Sequence, residues 1–334
     1  MKVLRQYQDK QGWNDFVLDN GGHPLQLWGW GELKSLHGWS AIRLQLVDDE
    51  SGEVFGGAQV IVRDLPIPFR CLAYIPRGPI VGETDRLILL DMLADYIKKA
   101  YGAIALTIEP DEVDYAVPHD WIKSTNHILP AKTVVLDLKK HQTDLLADMA
   151  KKTRQYVRKS GAENIQIKSV KNREELKYCL EIYHETHKRA KFNIHSDQYY
   201  YDVYNRLEDN SRAFLAYYDG KPVAFLWLAM SLDTAYELYG GVTELGQQLR
   251  VNYALKWHAI MKCKEWGLKK YDFGGLIEGG VSTFKMGWTN AETDLAGTYD
   301  KPLSVLYKVW NKLLPKAKKV AQRVRSRTKI SKSK

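Results

Sequence analysis

Several features that would assign a chain to the membrane or to export are missing from this sequence. Its 334 residues contain no run of about 18 uninterrupted apolar residues, and the start, MKVLRQYQDKQGW, has no apolar core of a leader peptide. The three cysteines, Cys71, Cys179 and Cys263, are odd in number, far apart and form no CxxC pair. We therefore expect reduced thiols and a cytoplasmic location.

Acidic residues are absent from the last part of the chain. Residues 301–334 contain twelve Lys and Arg and no Asp or Glu, whereas the first 300 residues carry 37 basic and 40 acidic side chains. The net charge of +9 is therefore a property of the C-terminal segment. Such a segment attracts the phosphates of nucleic acid or of an anionic membrane surface. An apolar stripe favours a partner over a frayed, solvated end, and its residues are Leu306, Val309, Trp310, Leu313 and Leu314.

Motifs for common cofactors are also missing. The sequence has no GxxxxGK[ST] string, no Rossmann fingerprint and no GxSxG elbow, which disfavours nucleotide triphosphate chemistry and a serine nucleophile. The glycine-rich turn that would grip the pyrophosphate of acetyl-CoA is replaced by GVTELGQQLRVNYALKW. Glu181, His184 and His187 give only one metal-binding motif, so an exposed helix face is the favoured interpretation. We expect neither cofactor nor metal.

The order of predicted elements occurs twice. Residues 57–81 read as two strands around a Pro-bearing turn, followed by a helix from the candidate N-cap Thr84 to Gly102 and a buried strand, AIALTIEP. The same order recurs from residue 221 onward, and Tyr74 and Tyr239 are 165 residues apart. This pattern predicts a duplicated α/β unit.

The length favours two domains. Residues 141–164 have the pattern of one basic amphipathic helix, with Leu145, Met149 and Val157 on its apolar side. We place the first domain at 1–140, completed by a C-terminal helix from 298–322, and the second at 141–297. We expect residues 323–334 to form a basic flexible tail.

Polar side chains follow corresponding strands of the two copies. Tyr74 and Arg77 end the first strand pair, Tyr239 ends the second, and Glu109 leaves the next strand of the first copy. Ligands collect at the carboxyl ends of strands in open α/β sheets, so these residues are candidates for a site. The counterpart of Glu109 is the stretch YDFGGLIEGGVSTFKMGW, residues 271–288. Its glycines suit a phosphate cradle, a strand-turn-strand, or the floor of a site in which Lys285 acts.

An ordered set of strings resembles the Fem family of aminoacyltransferases, in its compact form without a coiled-coil arm. The strings run along nearly the whole chain: LWGWGELK, YIPRGPIV, AKKTRQYVRKS, YHETHKRAKFNIHSDQYY and YDFGGLIEGGVSTFKMGW. The resemblance implies two tandem acetyltransferase-like (GNAT) domains, each a twisted mixed sheet flanked by helices, used without acetyl-CoA. It also implies transfer of an amino acid from aminoacyl-tRNA to an amine of a peptidoglycan precursor, either nucleotide-linked or lipid-linked.

The resemblance implies roles for particular residues. Lys285 matches a family lysine that faces the tRNA acceptor end, and Phe284 would pack beneath it. Lys34 matches a lysine at the diphosphate of the precursor. The precursor groove is expected to include Tyr199 and Tyr239, and Glu109 would orient the acceptor amine or take its proton.

One position departs from the family pattern. His195 stands where a compact member has an arginine that helps to hold the diphosphate, and a mostly neutral histidine cannot grip phosphate bidentately. Either Arg189 or Lys191 substitutes, or the precursor form differs. A lipid-linked precursor would suit the basic tail, which could hold an anionic membrane surface or tRNA.

Two other functions remain open. One is an acyltransferase of the same fold that uses an acyl-CoA on a sugar or an amine. The other is a protein that binds tRNA or membrane without catalysis. The sequence does not identify the transferred amino acid, because no motif reads the tRNA.

Overall fold

The computed structural model describes residues 1–161, 164–276, 280–289 and 291–313. These residues divide into two compact units. Unit 1 comprises Met1–Asp9, Gly38–Leu129 and the described residues from Ala296 onward, and unit 2 comprises Lys10–His37 and Pro130–Leu295. The predicted basic tail, residues 323–334, lies outside the described residues, as does Leu314.

The strands, in chain order, are β1 (Lys2–Gln6), β2 (Ser40–Asp48), β3 (Val54–Asp64), β4 (Cys71–Pro76), β5 (Ile80–Val81), β6 (Ala105–Glu109), β7 (Ile122–Lys123), β8 (Lys132–Thr133), β9 (Val135–Asp137), β10 (Ile165–Ser169), β11 (Ser211–Tyr218), β12 (Lys221–Met230), β13 (Thr234–Val242), β14 (Lys270–Asp272), β15 (Thr293–Asp294) and β16 (Tyr299–Pro302).

The helices are α1 (Lys10–Asp19), α2 (Trp28–Ser35), α3 (Glu83–Tyr101), α4 (Gln142–Asp148), α5 (Lys151–Gly161), α6 (Arg173–Ala190), α7 (Asp197–Leu207), α8 (Glu244–Gln248), α9 (Val251–Glu265) and α10 (Gly280–Met286). Short 3₁₀ turns occupy Pro24–Gln26 and Glu208–Asn210. Residues 307–313 are also helical.

Unit 1 is built on a mixed sheet with the strand order β1-β2-β3-β4-β6-β16-β7, and β5 pairs with β3. β3 and β4 are antiparallel, whereas β4 and β6 are parallel. Side chains alternate along a strand, so Leu106 and Ile108 of β6 share one face. Both are fully buried in a core that includes Leu93 and Ile97 of α3. The helix therefore covers one face of the sheet through its apolar stripe.

Unit 2 is built on a second mixed sheet, with the order β10-β11-β12-β13-β14-β9. Here β12 and β13 are antiparallel and β13 and β14 are parallel. Leu255 and Ile260 of α9 are buried in a core with Tyr271, Phe273 and Trp288. The burial of α9 explains why its sequence is apolar around most of its circumference.

The duplication at an offset of 165 residues is present in the structure. Adding 165 to the bounds of β4 gives positions within β13, and the ranges shifted in the same way from α3 and β6 overlap α9 and β14, respectively. The two copies also share their pairing, because each has an antiparallel strand pair followed by a parallel neighbour. The predicted fold class, a mixed α/β protein with two GNAT-like domains, is confirmed.

Each sheet includes one strand that is distant in the chain from the strand with which it pairs. β16 pairs antiparallel with β6 and so completes the sheet of unit 1. β9, which follows β6 in the chain, pairs antiparallel with β14 in unit 2. This exchange explains why the chain returns to unit 1 after residue 295.

The division differs from the sequence-based boundaries at both ends of the first domain. Lys10–His37 belongs to unit 2, because α2 packs against α7 so closely that a β-carbon on Gly29 would lie 1.8 Å from the carbonyl oxygen of Arg206. The division falls after Leu129 and not near residue 140, because β8 and β9 pair with strands of unit 2.

Three helix predictions need correction. The segment 141–164 forms two helices, since Met149 is extended with ψ 145° and ends α4. α3 begins at Glu83 with Gly82 as its N-cap, not Thr84, although Gly102 ends it as predicted with a φ of +58°. The segment 298–322 begins with the strand β16, and only residues 307–313 of it are described as helix.

Candidate functional site

Gly274 and Gly275 turn the chain out of β14. Their φ angles are +74° and +85°, a region that favours glycine. A β-carbon on Gly274 would lie 2.1 Å from the carbonyl oxygen of Glu237 in β13, so only glycine permits this close approach.

The N–H groups of this turn are used within the protein. Gly274 donates to the Asp272 carboxylate at 2.7 Å, and Gly275 donates to the Thr133 hydroxyl at 3.1 Å. A phosphate cradle needs N–H groups that point at the ligand, so that interpretation of the glycines is disfavoured. The strand-turn-strand interpretation is wrong, because the helix α10 follows the turn.

Lys285 of α10 points back to this turn. Its Nζ donates to the carbonyl oxygen of Gly275 at 2.8 Å, and the side chain is partly buried. Burial lowers the pKa of Lys285 below its ordinary value, and the negative charges of Glu237 and Asp272 oppose that shift. Lys285 is therefore a cation held in a poorly solvated position.

A second lysine lies nearby. Lys256 of α9 is 6% exposed and forms an ion pair with Glu237 of β13. The hydroxyl of Tyr271 donates to the same Glu237 oxygen at 2.7 Å. Burial lowers the pKa of Lys256 to about 8; the charge and hydrogen bond of Glu237 raise it in part, and the charge of Lys285 lowers it further. We call Lys256, Lys285, Glu237 and Tyr271 the lysine cluster.

A cavity of about 170 Å³ adjoins the lysine cluster. Lys256 and Phe284 line it, as do Gly240 and Gly241 at the end of β13. Phe284 packs edge-on against Tyr253, with ring centroids 4.9 Å apart. The arrangement sets the Lys256 ammonium beside a small, mostly apolar space, and a cation in such a space stabilises developing negative charge more strongly than one in water.

Four of the predicted substrate-binding residues come together in another part of unit 2. The Lys34 ammonium donates to the Tyr199 hydroxyl at 2.9 Å and lies 4.6 Å from the centroid of the Trp30 ring. His195 stacks on Tyr199 with centroids 3.9 Å apart and an interplanar angle of 16°. Tyr200 links this group to Tyr239, because their rings meet edge-on at 5.0 Å and Tyr199 and Tyr200 meet at 5.7 Å.

We call Lys34, His195, Tyr199, Tyr200 and Tyr239 the aromatic cluster. Burial raises the pKa of Tyr199 and of Tyr239, so both remain neutral phenols. Neutral hydroxyls beside one ammonium can bind an anion or a sugar without repelling it. The aromatic cluster has the chemistry of a polar ligand site with apolar walls.

The possible substitutes for an arginine at position 195 differ in their surroundings. Arg189 donates to the carbonyl oxygen of Val242 at 2.6 Å and pairs with Glu185 at 3.4 Å. Lys191 is exposed and ends α6 in the left-handed conformation. Arg189 is thus engaged within unit 2, and Lys191 is the more accessible of the two.

Glu109 is 1% exposed in unit 1 and is surrounded by donors. Its carboxylate accepts hydrogen bonds from the hydroxyl groups of Tyr74 and Thr298 and from the N–H groups of Ile128 and Leu129. A carboxylate engaged in this way holds a loop to its strand. The geometry favours a structural role for Glu109, and its assignment as an acceptor of the amine proton stays a prediction.

Tyr74 and Arg77 also belong to unit 1. Tyr74 is buried beside Glu109, and desolvation together with that negative charge raises its pKa well above the ordinary value. Arg77 is mostly buried at a φ of +49° and lies 3.8 Å from Asp111. Positive φ in a non-glycine residue is costly, so the loop after β4 is held in a defined conformation.

Sequence reasoning missed Lys256 and Glu237. Glu237 lies two residues before the predicted Tyr239, in YELYGG, and Lys256 interrupts the apolar helix sequence NYALKWHAIM. A single lysine within an apolar helical stretch was the available signal, because a buried lysine needs a partner.

The described residues contain no group of three or more His, Cys, Asp or Glu side chains arranged to hold a metal ion. His184 instead lies 2.6 Å from Asp197 on the surface. Nor does the described part of the chain include a helix that is both long and apolar enough to cross a bilayer.

Comparison with known proteins agrees with this architecture. A family model described as an acetyltransferase (GNAT) domain matches residues 147–286. The crystal structure of FemX aligns with a TM-score of 0.82 and 21% identity over 93% of this chain and 100% of FemX. A tandem GNAT protein from the clavulanic acid biosynthesis pathway aligns with a TM-score of 0.55 and 12% identity over 91% and 99% of the two chains. The fold is that of the tandem GNAT proteins.

Sequence similarity narrows the class. The lipid II:glycine glycyltransferase of Staphylococcus aureus (strain MRSA252) is 31% identical over 276 residues, which are 76% of this chain and 61% of that protein. The chain belongs to the Fem family. It spans about half to three fifths of the length of the curated relatives it matches.

Proposed function

We propose that this protein is an aminoacyltransferase that moves an amino acid from aminoacyl-tRNA to the stem-peptide amine of a peptidoglycan precursor, and so builds an interpeptide bridge. The observation that carries the proposal is the lysine cluster, in which Lys256 lines a small cavity at the end of β13 and Lys285 follows Phe284 of the same cavity wall. The curated relatives, which are named lipid II:glycine glycyltransferases, support the transfer of an amino acid to a lipid-linked precursor.

The reaction is the aminolysis of an ester. The amine nitrogen attacks the ester carbonyl, a tetrahedral oxyanion forms, and the carbon–oxygen bond to the tRNA ribose breaks as the amide forms. We assign Lys285 to the oxyanion, because a cation fixed in a poorly solvated position stabilises charge that develops there. Phe284 forms the apolar wall beside it.

The attacking amine loses one proton overall, and the ribose oxygen gains one. Lys256 is suited to carry this proton, because its pKa of about 8 lies near the working pH, where a side chain exchanges protons most effectively. Glu237 holds it in position through the buried ion pair. No proton acceptor from unit 1 is then required, although Glu109 remains a second candidate.

The aromatic cluster would bind the precursor. Lys34 supplies a positive charge for its diphosphate, and Tyr199 and Tyr239 supply neutral hydroxyls and ring faces for its sugar. His195 lies flat on Tyr199 in place of a bidentate arginine. This weaker grip on a diphosphate favours a lipid-linked precursor, which the membrane also holds, over a nucleotide-linked one.

A lipid-linked precursor implies where in the cell the protein acts. We propose that the protein acts at the cytoplasmic face of the membrane, with its basic C-terminal segment at anionic lipid or at tRNA. A chain ending at residue 314 should then lose affinity for anionic vesicles or for tRNA. Full retention of both affinities would remove this role for the tail.

The first experiment mixes the purified protein with a panel of charged tRNAs and with both precursor forms, and looks by mass spectrometry for the added residue. Glycine is the first amino acid to test, since the curated relatives are named glycyltransferases. Binding and turnover of acetyl-CoA, tested in parallel, would favour the acyl-CoA enzyme. Binding of tRNA without any product would favour the protein without catalysis.

A further inference from the structure

Unit 1 exposes apolar side chains next to its C-terminal helical segment. Ile67 lies at the tip of the loop between β3 and β4 and is 96% exposed, and Val305 is 95% exposed. Val309 and Leu313 lie one turn apart on the helical residues 307–313 and are about half exposed, and Val305 lies in the turn that precedes this helix. Large apolar side chains are seldom left this exposed together without a partner.

The loop and the helical segment form one continuous surface. Phe69 of the loop packs on Trp310, with ring centroids 5.2 Å apart. Leu65 and Leu306 pack into the same apolar cluster as Tyr307. We call Ile67, Val305, Val309 and Leu313, with the loop and helical segment that present them, the apolar face.

The backbone of this loop is suited to a region of low polarity. Pro66 and Pro68 have no N–H group, and the N–H groups of Leu65 and Phe69 donate within the loop to Arg70 and Pro66 at 2.7 and 3.0 Å. Few backbone donors would therefore lose hydrogen bonds to water if the tip entered the interfacial region of a bilayer.

Positively charged side chains flank the apolar face, on the same loop and helical segment. Arg63, Arg70, Lys308 and Lys312 are exposed, against one exposed acid, Asp64. The next described basic residue, Lys301, is paired with Asp120 and does not contribute. Apolar side chains flanked by Lys and Arg are typical of surfaces that lie on anionic lipid.

A cavity lies behind the apolar face. Leu65, Pro66 and Trp310 line a cavity of about 460 Å³ whose other walls include Leu72 and Ile128. Its polar wall residues include Asp300, which accepts hydrogen bonds from Thr107 and Tyr307, and the charged pair of neighbours Arg63 and Asp64. Most of the exposed wall surface is apolar, which suits a hydrocarbon chain.

We propose that the apolar face docks on an anionic membrane, with Ile67 and Val305 inserted among the lipid headgroups. This inference assigns membrane contact to the folded part of unit 1 as well as to the tail. It rests on the proposed function in one respect, namely that the acceptor is linked to a lipid.

The test uses flotation of the full chain with vesicles of phosphatidylcholine alone and of phosphatidylcholine and phosphatidylglycerol in equal parts. Ile67→Asp/Val305→Asp should lower the partition into mixed vesicles about tenfold or more, because two inserted apolar groups become charged. Lys308→Gln/Lys312→Gln should lower it about fivefold for each charge, and salt should weaken it further.

Val54→Asp is the matched control, since Val54 is an exposed valine at the opposite end of β3 and should leave the partition unchanged. The proposal is overturned if the native chain does not bind mixed vesicles, or if Ile67→Asp/Val305→Asp binds as well as the native chain. It is also overturned if sedimentation shows that Ile67→Asp/Val305→Asp dissociates a dimer while vesicle binding is unchanged, because the apolar face would then be an interface between two copies of the chain.

A transfer assay distinguishes failure of the membrane-docking proposal from failure of the proposed enzymatic function. The face variants should retain transfer to any nucleotide-linked acceptor in solution that the native chain uses. Loss of vesicle binding is readable whether or not transfer occurs, so failure of one proposal does not decide the other.

Discussion

Lys256 and Glu237 form a buried ion pair between α9 and β13, and the hydroxyl of Tyr271 donates to the same carboxylate oxygen. Buried pairs of this kind often add little net stability, because desolvation of both charges offsets their attraction. Net stabilisation alone therefore does not account for this pair in a largely apolar core. We propose that the pair holds one amine ready beside the cavity that Phe284 lines.

Breaking this pair on one side should be costly. Glu237→Gln leaves the Lys256 ammonium without its counter-charge, and we expect a loss of about 3 kcal/mol in the free energy of unfolding. Urea denaturation followed by circular dichroism measures it. Glu265→Gln, which breaks the exposed pair with Lys262, is the control and should cost less than about 0.5 kcal/mol. Equal effects of the two changes would contradict a buried pair.

The stability should depend on pH through Lys256. Its pKa is about 8 in the folded protein and 10.5 ordinarily, so between these values the unfolded chain binds more protons than the folded chain. Stability therefore rises with pH in that window, by up to about 3 kcal/mol for this group. The difference in unfolding free energy between the native chain and Lys256→Met, measured at both ends of the window, isolates the contribution. A constant difference would mean that Lys256 titrates normally.

The turn after β14 should not tolerate a side chain. Gly274→Ala introduces a β-carbon 2.1 Å from the Glu237 carbonyl oxygen at a φ of +74°, and we expect a loss of about 2–4 kcal/mol. Gly220→Ala is a close control, because Gly220 has the same φ and open space around it. It should lose about 1 kcal/mol from backbone strain alone. Thermal or urea unfolding of both variants compares the clash with the strain.

Removal of the charge from the aromatic cluster should weaken acceptor binding. Lys34→Met loses a charged group for the diphosphate, which corresponds to about 1.5–3 kcal/mol, or roughly ten- to hundredfold in Kd for the precursor. Calorimetric titration with the precursor measures it. Lys10→Met removes a surface lysine paired with Glu208 and should bind normally. If Lys34→Met also binds normally, the precursor site lies elsewhere.

Much of the fold followed from pattern. Apolar strands, the Gly102 helix end and the recurrence at 165 residues are local features, and the structure contains them. The exchange of β9 and β16 and the inclusion of residues 10–37 in unit 2 depend on long-range pairing, which no local pattern records. Gly29 illustrates the limit, since its need for glycine arises only when Arg206 packs against it.

The site was predictable only in part. The resemblance gave Lys285 and every member of the aromatic cluster except Tyr200, and the structure brings Lys34, His195, Tyr199 and Tyr239 together. It could not give Lys256, because burial of a lysine and its pairing with Glu237 are tertiary facts. Glu109 shows a second limit of the sequence. A carboxylate at the end of a strand can act on a substrate or can anchor a loop, and the sequence does not distinguish these two roles.

The most direct test of the account is single-turnover transfer from the charged tRNA identified in the panel to a lipid-linked precursor, comparing the native chain with Lys285→Met and with Lys262→Met. Loss of the oxyanion partner should slow transfer by about 10²–10³, or roughly 3–4 kcal/mol in barrier, with tRNA and precursor binding largely kept. Lys262→Met, which changes an exposed lysine of α9, should transfer at the native rate. Native-rate transfer by Lys285→Met would contradict the mechanism.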